Sequence, residues 1–216
     1  MKIFTYWEGP RPEYLDLCRE TLYRKCSLDI VELTPENVDK WFGPLPNIPI
    51  NLKVDWLKAN LIYKYGGFWL DADMVVVKDL AELVPYLDKG FCGIPGFFGA
   101  HKNDPLLKAW IDGMEEKLDD DLSFSDLIQP LLTHPDFKEF EHFTREMICP
   151  IYHEGSGENG FWSFFGERPA SEFITDNTYI VTLYNSAFSD EFKLLTTDQI
   201  LGKQWTISNI FRHALS

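Results

Sequence analysis

Short apolar runs alternate with longer stretches in which apolar residues recur every three or four positions. Lys2 to Tyr6 predicts a first strand, ended by Gly9-Pro10. Pro12 stands where a helix could begin, and Tyr14, Leu15, Cys18 and Leu22 follow at helical spacing. Ile30 to Leu33 predicts a second strand, and Thr34-Pro35-Glu36 a helix start with a hydroxyl cap and proline at the first position. The segment 43–51 is a proline-rich loop. Val54, Leu57, Leu61 and Ile62 then mark one face of a helix that stops at Gly66-Gly67, because glycine tolerates the positive φ of a helix terminus.

Phe68 to Val77 reads as one strongly apolar strand interrupted by Asp71 and Asp73. A turn and short helix follow over Asp79 to Leu87, then glycine- and proline-broken strand and loop over Phe91 to Phe98. Pro105 to Leu118 and Phe124 to Leu132 predict helices, Tyr179 to Tyr184 a late strand, and Thr197 to Leu201 and Ile207 to Leu215 closing helices. The aromatic, Gly/Pro-rich stretch 147–170 carries no clear period. Strands alternating with helices predict an α/β fold, and 216 residues without repeats or a low-complexity linker predict a single domain, 1–216.

Composition narrows the function. A formal net charge of −14 opposes binding to phosphate backbones, so no nucleic-acid partner is expected. A small anionic ligand remains compatible where a metal ion reverses the local sign. Cys18, Cys26, Cys92 and Cys149 form no CxxC pair, which signals neither a zinc site nor a redox motif. The start Met1-Lys2-Ile3-Phe4-Thr5-Tyr6-Trp7 lacks the apolar run of a signal peptide. No stretch approaches the roughly 20 apolar residues of a membrane span. The expected location is the cytoplasm, as a soluble protein.

The focal motif is Asp71-Ala72-Asp73, set between Phe68-Trp69-Leu70 and Met74-Val75-Val76-Val77. On a strand, residues two apart share a face, and two buried carboxylates on one face need a counter-charge. Hard Mg²⁺ or Mn²⁺ suits such oxygens and keeps positions open for phosphate. The acidic run Asp119-Asp120-Asp121 also contains the pattern, but it follows the charged stretch Glu115-Glu116-Lys117 and reads as solvated surface.

The stretch from Asp55 through Lys58, Tyr65-Gly66-Gly67 and Asp71-Ala72-Asp73 resembles the core motif of the DxD glycosyltransferases of the Och1-like and capsular-polysaccharide-synthesis type. Tyr6-Trp7-Glu8-Gly9-Pro10-Arg11-Pro12 is similar to that family's first strand and loop, and Thr182-Leu183-Tyr184-Asn185-Ser186 to its late strand. The resemblance implies a GT-A-type domain, a mixed central sheet flanked by helices with a Rossmann-like nucleotide-binding half. It implies a nucleotide-sugar donor, UDP-linked before GDP-linked, and a glycan or glycoconjugate hydroxyl as acceptor. It further implies Mn²⁺ or Mg²⁺ and retention of anomeric configuration.

Carried over by position, Asp55 and Lys58 would contact donor hydroxyls or phosphate. Asp71 would lie near the ribose and sugar, and Asp73 would bind the metal. Tyr6 and Trp7 would belong to the nucleotide site, with Trp7 stacked on the base. Lys58 stands where the family has arginine, and lysine offers a point charge in place of a planar fork. Tyr184 and Asn185 stand where related enzymes often carry a metal-binding histidine, so Asn185 is a candidate ligand through its carbonyl oxygen, or else caps a turn.

Bland readings exist for each. Asp55 and Lys58 could form an exposed helix pair. Trp7 could be a core or rim residue. Trp162 could be a sugar platform or a loop anchor, and His153-Glu154 could border an acceptor or lie in an exposed loop. His101, His134, His142 and His213 show no ligand spacing. Two other functions use the same motif: a metal-dependent phosphoryl or nucleotidyl transferase, and a nucleotide-sugar-binding module without turnover.

Overall fold

The computed structural model describes residues 1–117, 126–153 and 158–216. In chain order the elements are β1 (Lys2–Tyr6), α1 (Glu13–Lys25), β2 (Asp29–Leu33), α2 (Ile50–Tyr65), β3 (Gly67–Leu70), β4 (Met74–Val76), β5 (Cys92–Ile94) and β6 (Phe97–Ala100). They continue with α3 (Pro105–Glu115), α4 (Gln129–Leu132), α5 (Arg145–Ile148), β7 (Ile180–Thr182), α6 (Asp190–Lys193), α7 (Thr197–Leu201) and α8 (Thr206–Leu215). The architecture is the expected mixed α/β one. The chain divides into two compact units, Met1–Glu8 with Leu28–Asp71 and Leu83–His142, and Gly9–Ser27 with Ala72–Glu82 and Phe143–Ser216.

The first unit is built on a five-stranded sheet of order β2-β1-β3-β6-β5. β1 runs parallel to β2 and β3, whereas β6 is antiparallel to β3 and β5. The sheet is therefore mixed, with three parallel strands ending at one edge. α2 packs on β3 and β6, and α3 packs on α2. Leu57, Leu61 and Ile62 of α2 meet Phe4, Trp69 and Phe98 of the sheet in one buried cluster. Each such side chain contributes about 1.5–3 kcal/mol through burial.

α2 ends where the glycine pair predicts. Gly66 has φ 67° and its N–H bonds the Ile62 carbonyl. A Cβ on Gly67, at φ 109°, would lie 2.3 Å from the Lys2 carbonyl oxygen, so only glycine lets β3 start this close to β1. Asp104 caps α3 by accepting from the N–H groups of Leu106 and Leu107 at 2.9 and 3.2 Å.

The second unit joins β4 and β7 as an antiparallel pair. α1 packs on β4, α7 and α8. The buried Thr21 hydroxyl donates to the Cys18 carbonyl and accepts from the Val76 N–H at 3.0 Å, tying α1 to β4. Phe188 and Phe192, ring centres 4.3 Å apart, anchor an aromatic cluster with Tyr14, Phe165 and Trp205. α7 opens with a capping box between Thr196 and Gln199.

Three sequence expectations are corrected. Phe68 to Val77 is two strands in two sheets, not one strand, and Asp71 to Asp73 form the turn between them. Aspartate disfavours strands and favours turns, so the polar interruption is a break. The shared-face argument for the two carboxylates therefore does not apply.

Thr34-Pro35-Glu36 opens a turn followed by a single 3-10 turn at Val38–Lys40, not an α-helix. Only Val38 is buried in that short turn, so no apolar face follows to extend a helix. In the predicted 124–132 helix, the described part is helical only at Gln129–Leu132. Asp119-Asp120-Asp121, Leu118, Phe124 and Glu154 lie outside the described residues. Among the described residues no helix is long and apolar enough to cross a membrane.

Candidate functional site

In the first unit, the chemistry gathers where β1 and β3 leave the sheet and at the start of α2. Ligands of open α/β sheets bind beyond the carboxyl ends of the strands, and these are such ends. Trp69 is fully buried in β3, and its indole N–H donates to Asp71 Oδ1 at 2.6 Å. The Asp71 backbone N–H donates to the Gly96 carbonyl at 2.9 Å. Asp71 is thus held through its backbone by the β5–β6 hairpin and through its side chain by β3.

At the end of β1, Tyr6 is 4% exposed and its hydroxyl donates to Glu8 Oε2 at 2.5 Å. Lys53, in the first turn of α2, donates to both Glu8 oxygens at 3.0 and 3.1 Å. The Tyr6 hydroxyl chiefly holds the Glu8 carboxyl below its usual range, and Lys53 adds to this. Burial and the neighbouring carboxylate push the Tyr6 phenol up, so it remains a donor. Trp7, half-buried between Tyr6 and Glu8, bonds the Leu33 carbonyl through its backbone N–H at 3.2 Å.

One turn further along α2, Lys58 Nζ lies 2.5 Å from Asp55 Oδ1. The lysine side chain is 5% exposed and the aspartate 17%. The exposed-pair reading is therefore corrected: this is a largely buried ion pair on the core side of the helix. Such a pair is costly to desolvate and costlier to break, which makes it rigid. Asp55 is the partner closer to solvent.

In the second unit, Asp73 begins the chain's entry into β4. Its carbonyl accepts the Leu183 N–H at 3.0 Å, and its Oδ2 accepts the Asn185 N–H at 2.6 Å. The Asn185 side-chain oxygen accepts the Tyr14 hydroxyl from α1. Asn185 opens a short 3-10 turn without a side-chain cap, its N–H is held by Asp73, and its side-chain oxygen is oriented by Tyr14. Burial, with the negative charge of Asp73 second, pushes the Tyr14 phenol up, and the same two causes raise the buried Cys18 thiol.

The sequence singles out Tyr6, Trp7, Asp55, Lys58, Asp71, Asp73 and Asn185 as candidates but not the residues that hold them. Glu8 lies inside the quoted opening segment, yet its partner Lys53 is 45 residues away. Tyr14 and Asn185 are 171 residues apart. The Trp69–Asp71 and Tyr6–Glu8 contacts, each two residues apart, are local enough to leave a signal in the sequence. Trp162 is 73% exposed, so it does not anchor its loop in the core. His153 is exposed and meets the Tyr184 ring edge-on at 5.1 Å.

A hard divalent cation fits the chemistry of the donor set. In the second unit Asp73 offers carboxylate oxygens, one of them oriented by the Asn185 N–H, and the Asn185 side-chain oxygen belongs to the same unit. Among the described residues no three His, Cys, Asp or Glu side chains converge as a cage. Mg²⁺-type sites need none, because one or two carboxylates plus substrate phosphates and water complete the shell.

Residues 14–88 match the family model for the glycosyltransferase sugar-binding region containing a DXD motif, a span that includes Asp55 through Asp73. Among solved structures, one described as PaToxG glycosyltransferase is similar at 13% identity with a TM-score of 0.42, covering 58% of this chain and 63% of that one. The chain therefore spans less than two thirds of that structure. No curated protein matches.

Proposed function

We propose that the chain transfers a sugar from a nucleoside diphosphate sugar to a hydroxyl of a glycan or glycoconjugate, with retention of configuration, in a single catalytic domain of the Och1-like type. The observation that carries this reading is Asp71, fixed by the Trp69 indole where β3 ends, inside the stretch that matches the DXD sugar-binding region. Asp55, the more exposed member of its ion pair, accepts a donor-sugar hydroxyl, and Lys58 holds it in place. Trp7 offers an aromatic face to the base, beside the Tyr6–Glu8–Lys53 network that stiffens the end of β1.

Asp73, with Asn185 as a further oxygen donor, would hold Mn²⁺ or Mg²⁺, and Asp71 is a candidate ligand on the motif pattern alone. When bound, the ion supplies positive charge to the departing diphosphate. Because the motif and the donor are both anionic, donor binding should itself require the cation.

The test is a panel of nucleotide sugars, UDP-linked first and GDP-linked second, assayed for released nucleoside diphosphate with Mn²⁺ and with chelator. Release that depends on both metal and acceptor supports the reading. Release of pyrophosphate would instead identify a nucleotidyl transferase, and donor binding without any release a non-catalytic module; either result overturns it.

A further inference from the structure

Tyr184 has φ 61° and ψ 66°, the left-handed region that a residue with a Cβ enters only at a cost. It stands two residues past the end of β7 and lies between two bonds to the same residue. Leu183 donates its N–H to the Asp73 carbonyl, and Asn185 donates its N–H to Asp73 Oδ2 at 2.6 Å. In an extended strand, N–H groups two residues apart are about 6.6 Å apart along the chain. The left-handed residue between them curls the backbone so that both reach Asp73.

The strain has a visible restraint. The Tyr184 hydroxyl donates to the Ile151 carbonyl at 3.0 Å and touches the Cys149 sulfur. Ile151 and Cys149 are buried at 0% and 5% exposure, so the ring is moored to a packed part of the second unit. On the far side, the Tyr14 hydroxyl fixes the Asn185 side chain. The turn is therefore held at both ends, and what it holds is the orientation of one carboxylate.

We infer that Tyr184 is a positioning residue: its moored left-handed turn aims the Asn185 N–H at Asp73 and so sets the Asp73 carboxylate for a divalent cation. The inference rests on the proposed metal role of Asp73. A charged acceptor makes the N–H bond strong, so the turn and the carboxylate orient each other. Without its hydroxyl, a side chain at 184 keeps the conformational cost and loses the mooring. Glycine loses both together, because it enters the left-handed region freely.

That contrast supplies a test on Mn²⁺ affinity alone, read by electron paramagnetic resonance of free Mn²⁺ on the full chain. Wild type should bind in a manner lost in Asp73→Asn. Tyr184→Phe should bind about fivefold more weakly, the scale of one lost hydrogen bond. Tyr184→Gly should bind closer to wild type than Tyr184→Phe does, although it melts at a lower temperature through lost packing. A purely structural ring predicts the opposite order, with the glycine variant worst in both measurements.

Should the glycine variant fail the circular-dichroism check of folding, Tyr184→Asn takes its place, since asparagine tolerates the same region. Unchanged Mn²⁺ affinity in Tyr184→Phe, or weaker binding in the glycine or asparagine variant than in the phenylalanine one, overturns the positioning role while leaving Asp73 as a ligand. Wild-type binding that survives Asp73→Asn overturns the metal role and this inference with it.

Discussion

Asp71 and Asp73 are separated by one residue, yet they are held in opposite ways. Asp71 takes its side-chain bond from Trp69, two positions earlier, and its backbone bond goes to Gly96 in the neighbouring hairpin. Asp73 takes its bond from Asn185, which is 112 residues away, and Asn185 depends in turn on Tyr14. One carboxylate is set by local strand geometry and the other by the closing of the second unit. The difference teaches that a short motif can be locally encoded at one end and globally encoded at the other.

The largest effect should come from the globally held residue. Asp73→Asn keeps the shape but removes the charge, and should lower turnover by about a thousandfold, the scale of removing one electrostatic stabiliser from a transition state. Asp73→Asn should also abolish Mn²⁺ dependence of nucleoside diphosphate binding by calorimetry. If Asp71→Asn alone has these effects and Asp73→Asn has neither, the roles given to the two ends of the motif are reversed.

The next effect lies in α2. Lys58→Met leaves the Asp55 charge without its partner at a site where the lysine is only 5% exposed, and should cost about 3 kcal/mol in urea unfolding. The double variant Asp55→Asn with Lys58→Met should recover part of that loss, because it removes both charges. Additive losses would mean that the two side chains are not energetically coupled. Turnover separates the roles further: if Asp55 meets the sugar, the double variant regains stability but not activity.

What the sequence disclosed follows the same divide between local and distant causes. α2, α7 and α8 were legible because their apolar spacing, glycine stop and threonine cap are all local signals. The strand over Phe68 to Val77 was misjudged because apolar residues flanking two aspartates look alike in one long strand and in two short ones. Only the partners β6 and β7, far along the chain, separate the two cases. The Asp55–Lys58 spacing was visible, but its burial was not, since the same three-residue spacing occurs on exposed faces. The supports Lys53 and Tyr14 carry no signal because each is defined by a distant partner.

A smaller effect sharpens the local half of the comparison. Trp69→Phe retains most of the buried ring but deletes the donor to Asp71 Oδ1. A hydrogen bond to a charged group contributes about 1.5–3 kcal/mol, so turnover should fall by roughly tenfold or more. Mn²⁺ affinity should fall less than in Asp73→Asn. A turnover unchanged in Trp69→Phe would show that Asp71 needs no help from the indole.

The smallest effect concerns Glu8, at the same sheet edge as Asp71 and paired with Lys53. Its folded-state carboxyl titrates below its ordinary value, chiefly because of the Tyr6 hydroxyl and then Lys53. A depressed carboxylate stabilises the fold fully above its unfolded pKa of about 4.3, and the benefit is lost as pH falls through the lower folded value. Glu8→Gln should therefore be less stable than wild type at pH 6, by less than about 1 kcal/mol because the Glu8 side chain is 30% exposed. The two proteins should converge as the pH approaches 3. Urea unfolding at both pH values reads the gap directly. A gap that widens toward low pH would mean that Glu8 is stabilised in its protonated form, and the Tyr6–Glu8–Lys53 network would then not be the brace that holds the end of β1.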